Sequence, residues 1–386
     1  MLAACLIALA AFALLLITER ALLRYARKRF SLVIHVNGTR GKSTVTRMIH
    51  ALFVRQGMAA YGKTTGSAAR FLLPDGREKP VLRLGPANVR EQRNMMIYSA
   101  FFGKERNKVL VFECNAIDAE LQHLSMKWLR PDITVITNAR EDHVQELGNA
   151  AQIAEAFANA IPDNSVLVTS DIKYAGLWEA AAKQKNLTLK IVHPDEMEQM
   201  PLCSGFPENT ACVLGVADHL GINRNMALTA VTDHNPDAGA FKIYSWKHLT
   251  QNIIFADARA ANDIESTNRL ISHTFGVLKP VKNFQRVLLL VNREDRPDRT
   301  RDFLQFVINR ENFFEFYFCL GHAPLLFRKK IKNEKIKCFF IKDMDEFEMH
   351  MKKIPAEEIL IFGVGNFGGK GILVNKWLAD KEKKVI

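Results

Sequence analysis

Residues 31–44, SLVIHVNGTRGKST, hold the side chains whose types and spacing best suit chemistry on a phosphate. The apolar, β-branched run 31–36 predicts a buried strand, and a helix-like stretch follows the glycine turn as far as about Gly57. Glycines let backbone N–H groups approach phosphate oxygens, and a helix N-terminus adds partial positive charge. In this context Lys42 would reach the β- and γ-phosphates, and the Ser43 hydroxyl would sit on Mg²⁺. The predicted phosphate-binding residues are Asn37, Gly38, Thr39, Arg40, Gly41, Lys42, Ser43 and Thr44.

The loop departs from the commonest phosphate-binding form. Val36 stands five residues before Gly41, where that form has glycine, so the loop is short and Gly38 comes late. A Gly-Lys-Ser triplet alone also fits an ordinary structural turn. The strand before it and the helix after it favour nucleotide binding.

Polar side chains also follow the next two predicted strands. The strand 108–113 ends in Glu113, and Asn138 and His143 follow the strand 132–137. The carboxyl ends of parallel strands meet at one edge of a sheet, where ligands bind. Mg²⁺ prefers oxygen ligands, which suits Ser43 and Glu113. His143 is an unusual magnesium ligand, and a histidine by itself is more often a helix-start or surface residue.

Short apolar runs alternate with amphipathic stretches from Phe30 onward, which predicts an α/β fold with parallel sheets covered on both faces. We predict a central domain at 30–238 and a smaller α/β domain at 239–386, divided near the Pro/Gly-rich NPDAGAF. The predicted strands are 31–36, 108–113, 132–137, 165–170, 189–192, 253–258, 286–292, 314–320, 336–341 and 358–365. The predicted helices of the first domain include 89–102, 119–129, 149–160 and 173–185.

The first 18 residues have no charge and predict a membrane-spanning helix of about 27 Å, close to the thickness of a bilayer core of about 30 Å. Basic residues are frequent directly after this run, from Arg20 to Arg29. A cleavable signal peptide has its basic residues before the apolar run. We therefore predict that residues 1–29 form a single-span anchor, with the catalytic domains in the cytoplasm. The alternative is a buried helix of a soluble core.

The chain has 386 residues and a formal net charge of +12, which predicts attraction to an anionic partner. A membrane surface and an acidic substrate fit this charge. No module typical of nucleic-acid binding is recognisable, so we expect no nucleic-acid partner. The six cysteines have no metal-binding or CxxC spacing, which indicates reduced, buried thiols.

The phosphate loop GTRGKST, the strand-end glutamate and ITNAREDH together resemble the Mur ligase superfamily. The resemblance covers nearly the whole chain and is strongest to the capsule-type poly-γ-glutamate ligases. GKTTGSAAR (62–70), FADARAANDIEST (255–267) and GVGNFGGKG (363–371) are similar to motifs of that group. The apolar segment runs straight into the first strand, so we expect no UDP-sugar-binding domain of the peptidoglycan ligases.

The resemblance implies the fold and the roles of individual residues. It implies a Mur-ligase-like central ATPase domain and a Rossmann-like C-terminal domain, with Lys42, Glu113 and His143 as catalytic residues. Ser43, Glu113 and His143 would bind the metal. Asp257 is one residue out of register with the family's aspartate, and 144–165 contains no lysine that could be carbamylated to hold a second metal. Further nucleotide-binding residues would be Asn138, Asn262 and Arg293, and the substrate-side candidates are Lys63, Thr64, Thr65 and Arg70, with Arg40 also near the acceptor.

The implied activity is an ATP-dependent amide ligation through an acyl phosphate, with ATP and Mg²⁺ as cofactors. The expected partners are glutamate, a growing anionic polymer and small integral-membrane synthase or exporter subunits, and a homo-oligomer is left open. Three alternatives remain: a P-loop kinase or GTPase, a membrane-tethered subunit that binds ATP without ligating, and a ligase for another amino acid and acceptor.

Overall fold

The computed structural model describes residues 1–65, 69–83, 85, 88–105, 107–116, 118–140, 149–197, 206–237, 239–248, 250–261, 263–278, 284–310, 313–323, 325–333, 337–381 and 383–385. The chain divides into two compact units, Met1–Asp237 and Ala238–Ile386.

The first unit is built on one mixed sheet. Its strands are β1 (Phe30–Asn37), β2 (Ala59–Thr64), β3 (Arg70–Leu72), β4 (Glu78–Pro80), β5 (Lys108–Glu113), β6 (Ile133–Ile136), β7 (Val166–Thr169) and β8 (Thr188–Ile191). Its helices are α1 (Leu2–Lys28), α2 (Lys42–Arg55), α3 (Arg90–Phe101), α4 (Ala119–Leu129), α5 (Ala150–Ala160), α6 (Ala175–Lys185), α7 (Pro207–His219) and α8 (Arg224–Asp233).

The strand order across this sheet is β4-β3-β2-β5-β1-β6-β7-β8. Strands β2, β5, β1, β6, β7 and β8 are parallel, whereas β3 and β4 form an antiparallel extension at one edge. Strand β1 is therefore central, between β5 and β6. The residues that follow β1, β5 and β6 meet at the carboxyl edge of the sheet, as the sequence predicts.

The alternation of side chains along β1 explains the layers on the two sheet faces. Ile34 and Val36 pack with α2, α7 and α8 on one face, while Val33 packs with α1, α3 and α4 on the other. Helix α7 is buried along nearly its whole length, since residues 209–217 are all inaccessible. Both sheet faces are thus covered, which requires the near-continuous apolar strands seen in the sequence.

Helix α1 has an apolar first part and a packed last part. The helix is long and apolar enough to cross a membrane, and none of its apolar window is buried. Its C-terminal turns instead dock on the first unit: Ala26 is buried, and the Arg27 guanidinium donates to Asp132 Oδ1 at 2.7 Å. Asp132 Oδ2 in turn accepts from Val33 N of β1 at 2.7 Å, so the last turn of α1 is fixed to the central strand.

The second unit contains a second mixed sheet, of order β13-β12-β11-β14-β10-β9-β15. Strands β9 and β15 pair antiparallel at one end, and the others are parallel. The strands are β9 (Lys242–His248), β10 (Gln251–Asp257), β11 (Gln285–Asn292), β12 (Phe316–Gly321), β13 (Cys338–Ile341), β14 (Glu358–Gly365) and β15 (Lys384–Val385). The helices are α9 (Ile264–Val277), α10 (Pro297–Ile308), α11 (Leu325–Asn333), α12 (Met344–Met351) and α13 (Gly371–Ala379).

The predicted fold class is confirmed: parallel-rich α/β units follow one apolar N-terminal helix. The sequence did not predict β2, the hairpin β3–β4, the antiparallel β9 or the short β15. Strands β12 and β13 begin two residues later than the predicted strands at 314 and 336. Strands β3 and β4 have three residues each, too few for a period-2 pattern to be recognised.

Candidate active site

Two glycines set the path of the loop between β1 and α2. Gly38 has φ +125° and Gly41 has φ +82°, both in the left-handed region that favours glycine. A Cβ atom on Gly38 would lie 2.2 Å from Thr137 Oγ1, and one on Gly41 would lie 2.1 Å from Asn209 Oδ1. The loop is therefore closely packed between the end of β6 and helix α7, and a side chain at either glycine would displace it.

The residues after β6 hold the loop by hydrogen bonds. Asn138 accepts from Thr39 N through its carbonyl at 2.9 Å and from Arg40 N through Oδ1 at 3.0 Å. Thr137 Oγ1 donates to the Arg40 carbonyl at 2.6 Å. Within β1 itself, the Asn37 side chain accepts from Gly38 N at 2.8 Å. The other side-chain atoms are bonded as well, since Asn37 Nδ2 donates to Gln122 Oε1 and Asn138 Nδ2 donates to the Arg40 carbonyl, both at 3.1 Å. Asn37 and Asn138 thus brace the loop backbone.

The loop leads directly into the first turn of α2, which contains Lys42, Ser43 and Thr44, all half-buried. The N–H groups of a first helical turn have no intrahelical acceptor, and no side chain among the described residues caps this helix. The Lys42 ammonium donates to the carbonyls of Gly38 at 2.7 Å and of Thr39 at 3.2 Å. Free N–H groups and an ammonium therefore lie together at the start of α2, which suits an oxyanion.

Glu113, at the end of β5, lies directly beside this helix start. It is 3% exposed, and its Oε2 accepts from Ser43 Oγ at 2.9 Å and from Thr65 N at 2.6 Å. The predicted pairing of Ser43 with Glu113 is thus present in the structure. No cluster of three or more His, Cys, Asp and Glu side chains forms within the described residues. Two adjacent oxygen-bearing side chains match the preference of Mg²⁺ for oxygen ligands.

Lys63, at the end of β2, is wholly buried on the other side of Glu113. Its Nζ lies 3.4 Å from Glu91 Oε2 and makes no hydrogen bond. Burial lowers the pKa of Lys63 below its usual range, against the opposing effect of the Glu91 and Glu113 carboxylates. Glu91 is itself held by Arg83, which donates two hydrogen bonds of 2.7 and 3.0 Å.

The neighbouring substrate-side candidates differ in their surroundings. Thr64 Oγ1 is buried without a hydrogen-bond partner, whereas the backbone of Thr65 binds Glu113. Arg70 lies half-buried at the start of β3, where it pairs in register with Thr64 of β2. Two buried polar groups without hydrogen bonds, on Lys63 and Thr64, therefore point to a ligand subsite beside Glu113.

Sequence reasoning missed the residues on α3 and α7 that contact Glu113, Lys63 and Gly41. Gln92 Nε2 donates to the Glu113 carbonyl at 2.6 Å and to Asn115 Oδ1 at 3.1 Å. Glu91 pairs with Lys63, and Asn209 lies against Gly41. These residues lie on helices far from the phosphate loop in sequence, and no motif marks them. Only the prediction that α3 precedes β5 gave any indication of their proximity.

In the second unit, Arg293 follows β11 and donates two hydrogen bonds to Asp295, at 2.8 and 2.6 Å. It also lies against the Gly368–Gly369 backbone, where a Cβ atom on Gly368 would approach its guanidinium to 2.9 Å. Asp257 is paired with the wholly buried Arg259 through two hydrogen bonds of 2.7 Å. The Asp257 carboxylate thus has a structural partner in its own unit.

His143 and Asn262, which the sequence predicts as metal and nucleotide ligands, lie outside the described residues. The described thiols at 5, 114, 212, 319 and 338 are all free. Those at 114, 212 and 319 are buried as predicted, whereas the prediction of burial is wrong for the exposed Cys5 and holds only in part for Cys338. Burial raises the pKa of Cys114, the residue next to Glu113, to about 11. A thiol with that pKa is protonated at neutral pH, so Cys114 is not an activated nucleophile.

Comparison with known families and proteins agrees with this architecture. Residues 36–199 match the Mur ligase middle domain, and residues 243–381 match the poly-gamma-glutamate synthase CapB C-terminal domain. The chain is 32% identical over 350 residues to PGA synthase CapB of Bacillus subtilis (strain 168), covering 87% of each protein. It is also 32% identical over 373 residues to the capsule biosynthesis protein CapB of Bacillus anthracis, covering 92% of this chain and 78% of that protein.

Among solved structures, E. coli FolC in complex with DHPP and ADP has a similar fold, with a TM-score of 0.63. The match covers 94% of this chain and 91% of FolC at 15% sequence identity, which supports the fold alone. The family of this chain follows from the two CapB relatives, because both are 32% identical to it over most of its length. The chain belongs to the CapB family of Mur-type ligases and is an ATP-dependent amide ligase.

Proposed function

We propose that the chain joins glutamate residues into poly-γ-glutamate, converting ATP to ADP and phosphate by way of an acyl phosphate on the cytoplasmic side of the membrane. The observation that carries the proposal is the meeting of the glycine loop, Lys42 and the Ser43–Glu113 pair at one sheet edge. The similarity to the two CapB proteins supplies the amino acid. ATP as the nucleotide follows from the membership in the CapB family of Mur-type ligases.

In the first step, a carboxylate oxygen of the acceptor attacks the γ-phosphorus of ATP, and the bond from that phosphorus to the β,γ-bridging oxygen breaks. The N–H groups at the start of α2 and the Lys42 ammonium stabilise the negative charge on the phosphoryl oxygens. Ser43 and Glu113 would hold Mg²⁺, which would neutralise phosphate charge when bound. His143 remains a proposed third metal ligand.

In the second step, the amine of the incoming residue attacks the acyl carbon, phosphate leaves, and the amine loses a proton. Two anions, the acceptor carboxylate and the triphosphate, must first lie side by side. Lys63 supplies a buried cation 3.4 Å from Glu91. Arg40 lies in the phosphate loop, and Arg70 lies at the same edge, opposite Thr64. We propose that Lys63, Thr64, Thr65 and Arg70 contact the acceptor, and that Asn138, Asn262 and Arg293 contact the nucleotide.

The proposed location is a single membrane span formed by residues 1–18, with basic residues from Arg20 onward on the cytoplasmic side. Helix α1 has the required length and apolar character. We also propose small integral-membrane partners that accept the polymer. Full-length protein that alkaline carbonate removes from membranes, or a mature N-terminus beyond Phe30, would show that this location is wrong.

The activity is tested with the purified full-length protein and a panel of glutamate, aspartate, a folate and a UDP-linked peptide. ADP release and product mass are measured for each substrate, with the Lys42→Ala variant as the background. We expect ADP release that depends on glutamate and products that grow in steps of one glutamyl residue. Preference for the folate or the UDP-peptide would identify a different Mur-type ligase. ATP binding without any ligation would indicate an assembly subunit.

A further inference from the structure

Helix α3 runs from one edge of the first sheet to the other. At its start, Gln92 donates to the carbonyl of Glu113, the last residue of β5. Past its end, the Phe102 carbonyl accepts from Nζ of Lys108, the first residue of β5, at 2.5 Å. The first turn of α3 thus lies at the carboxyl edge, where the phosphate loop is, and its last turn lies at the opposite, amino edge.

Helix α1 packs along α3 and runs in the same direction. Glu19 of α1 forms an ion pair with Arg93 in the first part of α3. One and a half turns later, Tyr25 stacks on Phe101 at the end of α3, with ring centroids 5.7 Å apart. Helix α1 therefore leaves the folded unit near Glu19, on the carboxyl-edge side, and reaches the amino edge at its C-terminus.

The apolar part of α1 continues beyond Glu19 away from the amino edge. It comprises about 17 residues and thus about 26 Å of helix, and the structure buries none of them. The segment that would cross the membrane consequently extends from the side of the unit that holds the phosphate loop and Glu113.

A second apolar feature lies at the same edge. Leu82, between β4 and α3, is 90% exposed. The next residue, Arg83, is fixed to Glu91 in the first turn of α3, so Leu82 lies at the carboxyl edge, from which the apolar part of α1 extends. Entry of this exposed leucine into the interfacial layer of a bilayer would remove its apolar surface from water.

We propose that the first unit meets the lipid bilayer at the part of its carboxyl edge where α1 leaves it, beside the start of α3, and that Leu82 inserts at the bilayer surface. This inference relies on the proposed membrane span of α1. The occupant of this part of the edge is lipid rather than a partner protein, because it is continuous with a helix that is itself of membrane-spanning length and composition. Ligation would then take place close to the bilayer surface, and the lengthening polymer would leave the site near any exporter.

The test uses full-length protein reconstituted in vesicles of phosphatidylcholine and phosphatidylglycerol. An environment-sensitive fluorophore is attached to one introduced cysteine in a background in which Cys5, Cys203 and the partly exposed Cys338 are replaced by serine, which leaves the buried Cys114, Cys212 and Cys319. The Leu82→Cys site reports on the carboxyl edge. The matched control is Lys104→Cys, which is exposed beyond the opposite end of α3. Lipids with a spin label on the headgroup serve as the quencher, and vesicle flotation records whether the protein is anchored.

We expect the fluorophore at position 82 to lose most of its emission with spin-labelled lipid, while the fluorophore at 104 keeps its emission. Equal quenching at both sites, or stronger quenching at 104, in protein that floats with the vesicles would overturn the orientation and leave the anchor intact. Protein that fails to float would instead refute the membrane span itself. Protection of position 82 in native membranes but not in pure lipid would show that a membrane protein covers this edge, and would likewise overturn the proposal.

Discussion

Lys63 and Lys108 form a matched pair of wholly buried lysines on the neighbouring strands β2 and β5. The Lys108 ammonium donates to the carbonyls of Ser99, Ala100 and Phe102, at 3.1, 3.0 and 2.5 Å, at the C-terminal end of α3. The Lys63 ammonium makes no hydrogen bond and has one long ion pair, to Glu91. We predict that replacement by methionine, which is nearly as long but uncharged, has opposite consequences at the two positions.

The expected magnitudes follow from these partners. A buried polar group without a hydrogen bond costs about 1–3 kcal/mol, so its removal at position 63 recovers part of that free energy. Glu91 loses one partner but keeps the two hydrogen bonds from Arg83, so no carboxylate is left unpaired. We expect Lys63→Met to leave the free energy of unfolding unchanged or to raise it by up to about 2 kcal/mol. Lys108→Met leaves buried carbonyls at the end of α3 without a donor and should lower the free energy of unfolding by about 2–4 kcal/mol.

The activity of the same two variants is measured as glutamate-dependent ADP release. If Lys63 holds the acceptor carboxylate beside the triphosphate, its loss should reduce turnover by about 10²–10³-fold, as for other fixed contacts to transition-state charge. The Lys108 ammonium lies at the amino edge and should matter for turnover only through the amount of folded protein. Urea denaturation of detergent-solubilised protein gives the free energies.

This reasoning would be refuted if Lys63→Met lost more than about 2 kcal/mol of stability while the remaining folded enzyme turned over normally. Lys63 would then be a structural cation, and the unpartnered atoms beside Glu113 would not form a substrate subsite. Lys63→Arg is a further check, because it keeps the charge in a bulkier form that the buried site cannot accommodate without strain.

Three further predictions concern the loop, the metal and the pH dependence. Lys42→Ala should cost only about 1 kcal/mol of stability, from hydrogen bonds to two loop carbonyls, but should reduce ATP turnover by about 10²–10³-fold. Near-normal turnover would contradict the phosphate-loop assignment. Glu113→Gln and Ser43→Ala should each raise the Mg²⁺ concentration needed for half-maximal turnover, and the double variant should lose less than the sum of the single losses. Unchanged magnesium titrations would remove the metal role. Burial lowers the pKa of His35 to about 3. The unfolded chain, with a pKa near 6.5, therefore binds the extra proton as the pH falls below that value, and folding stability should drop by about 2 kcal/mol between pH 6.5 and pH 5. The free energy of unfolding of the His35→Leu variant, taken from denaturation curves, should not show this drop. If the free energy of unfolding depends on pH equally in both proteins, His35 does not titrate as described.

The sequence predicted the parts of the first unit that depend on local pattern. The strand at 108–113 and the helix at 119–129 have the predicted limits. A short apolar run indicates a buried strand, and an amphipathic period indicates a helix. The pairing of Ser43 with Glu113 was also predictable, since strand ends of a parallel sheet meet at one edge.

The remainder of the site depends on packing between segments far apart in the chain. Nothing in the local sequence indicates that Asn209 lies against Gly41, or that Gln92 holds the Glu113 backbone. The burial of Lys63 could not be predicted from the sequence either, because a lysine near a strand end normally extends its ammonium into water. Its lack of hydrogen bonds is a property of the folded surroundings and not of any motif.

The ion pair between Arg27 and Asp132 has a practical consequence for truncation. Ala26 and Phe30 are buried with Met96 in the core beneath α3. The last turns of α1 therefore belong to the folded unit and are not a flexible linker. A shortened protein that begins at Glu19 keeps this cover and should be recovered as a soluble monodisperse protein. One that begins at Phe30 loses Ala26 and Arg27, exposes apolar core to solvent, and should aggregate during purification.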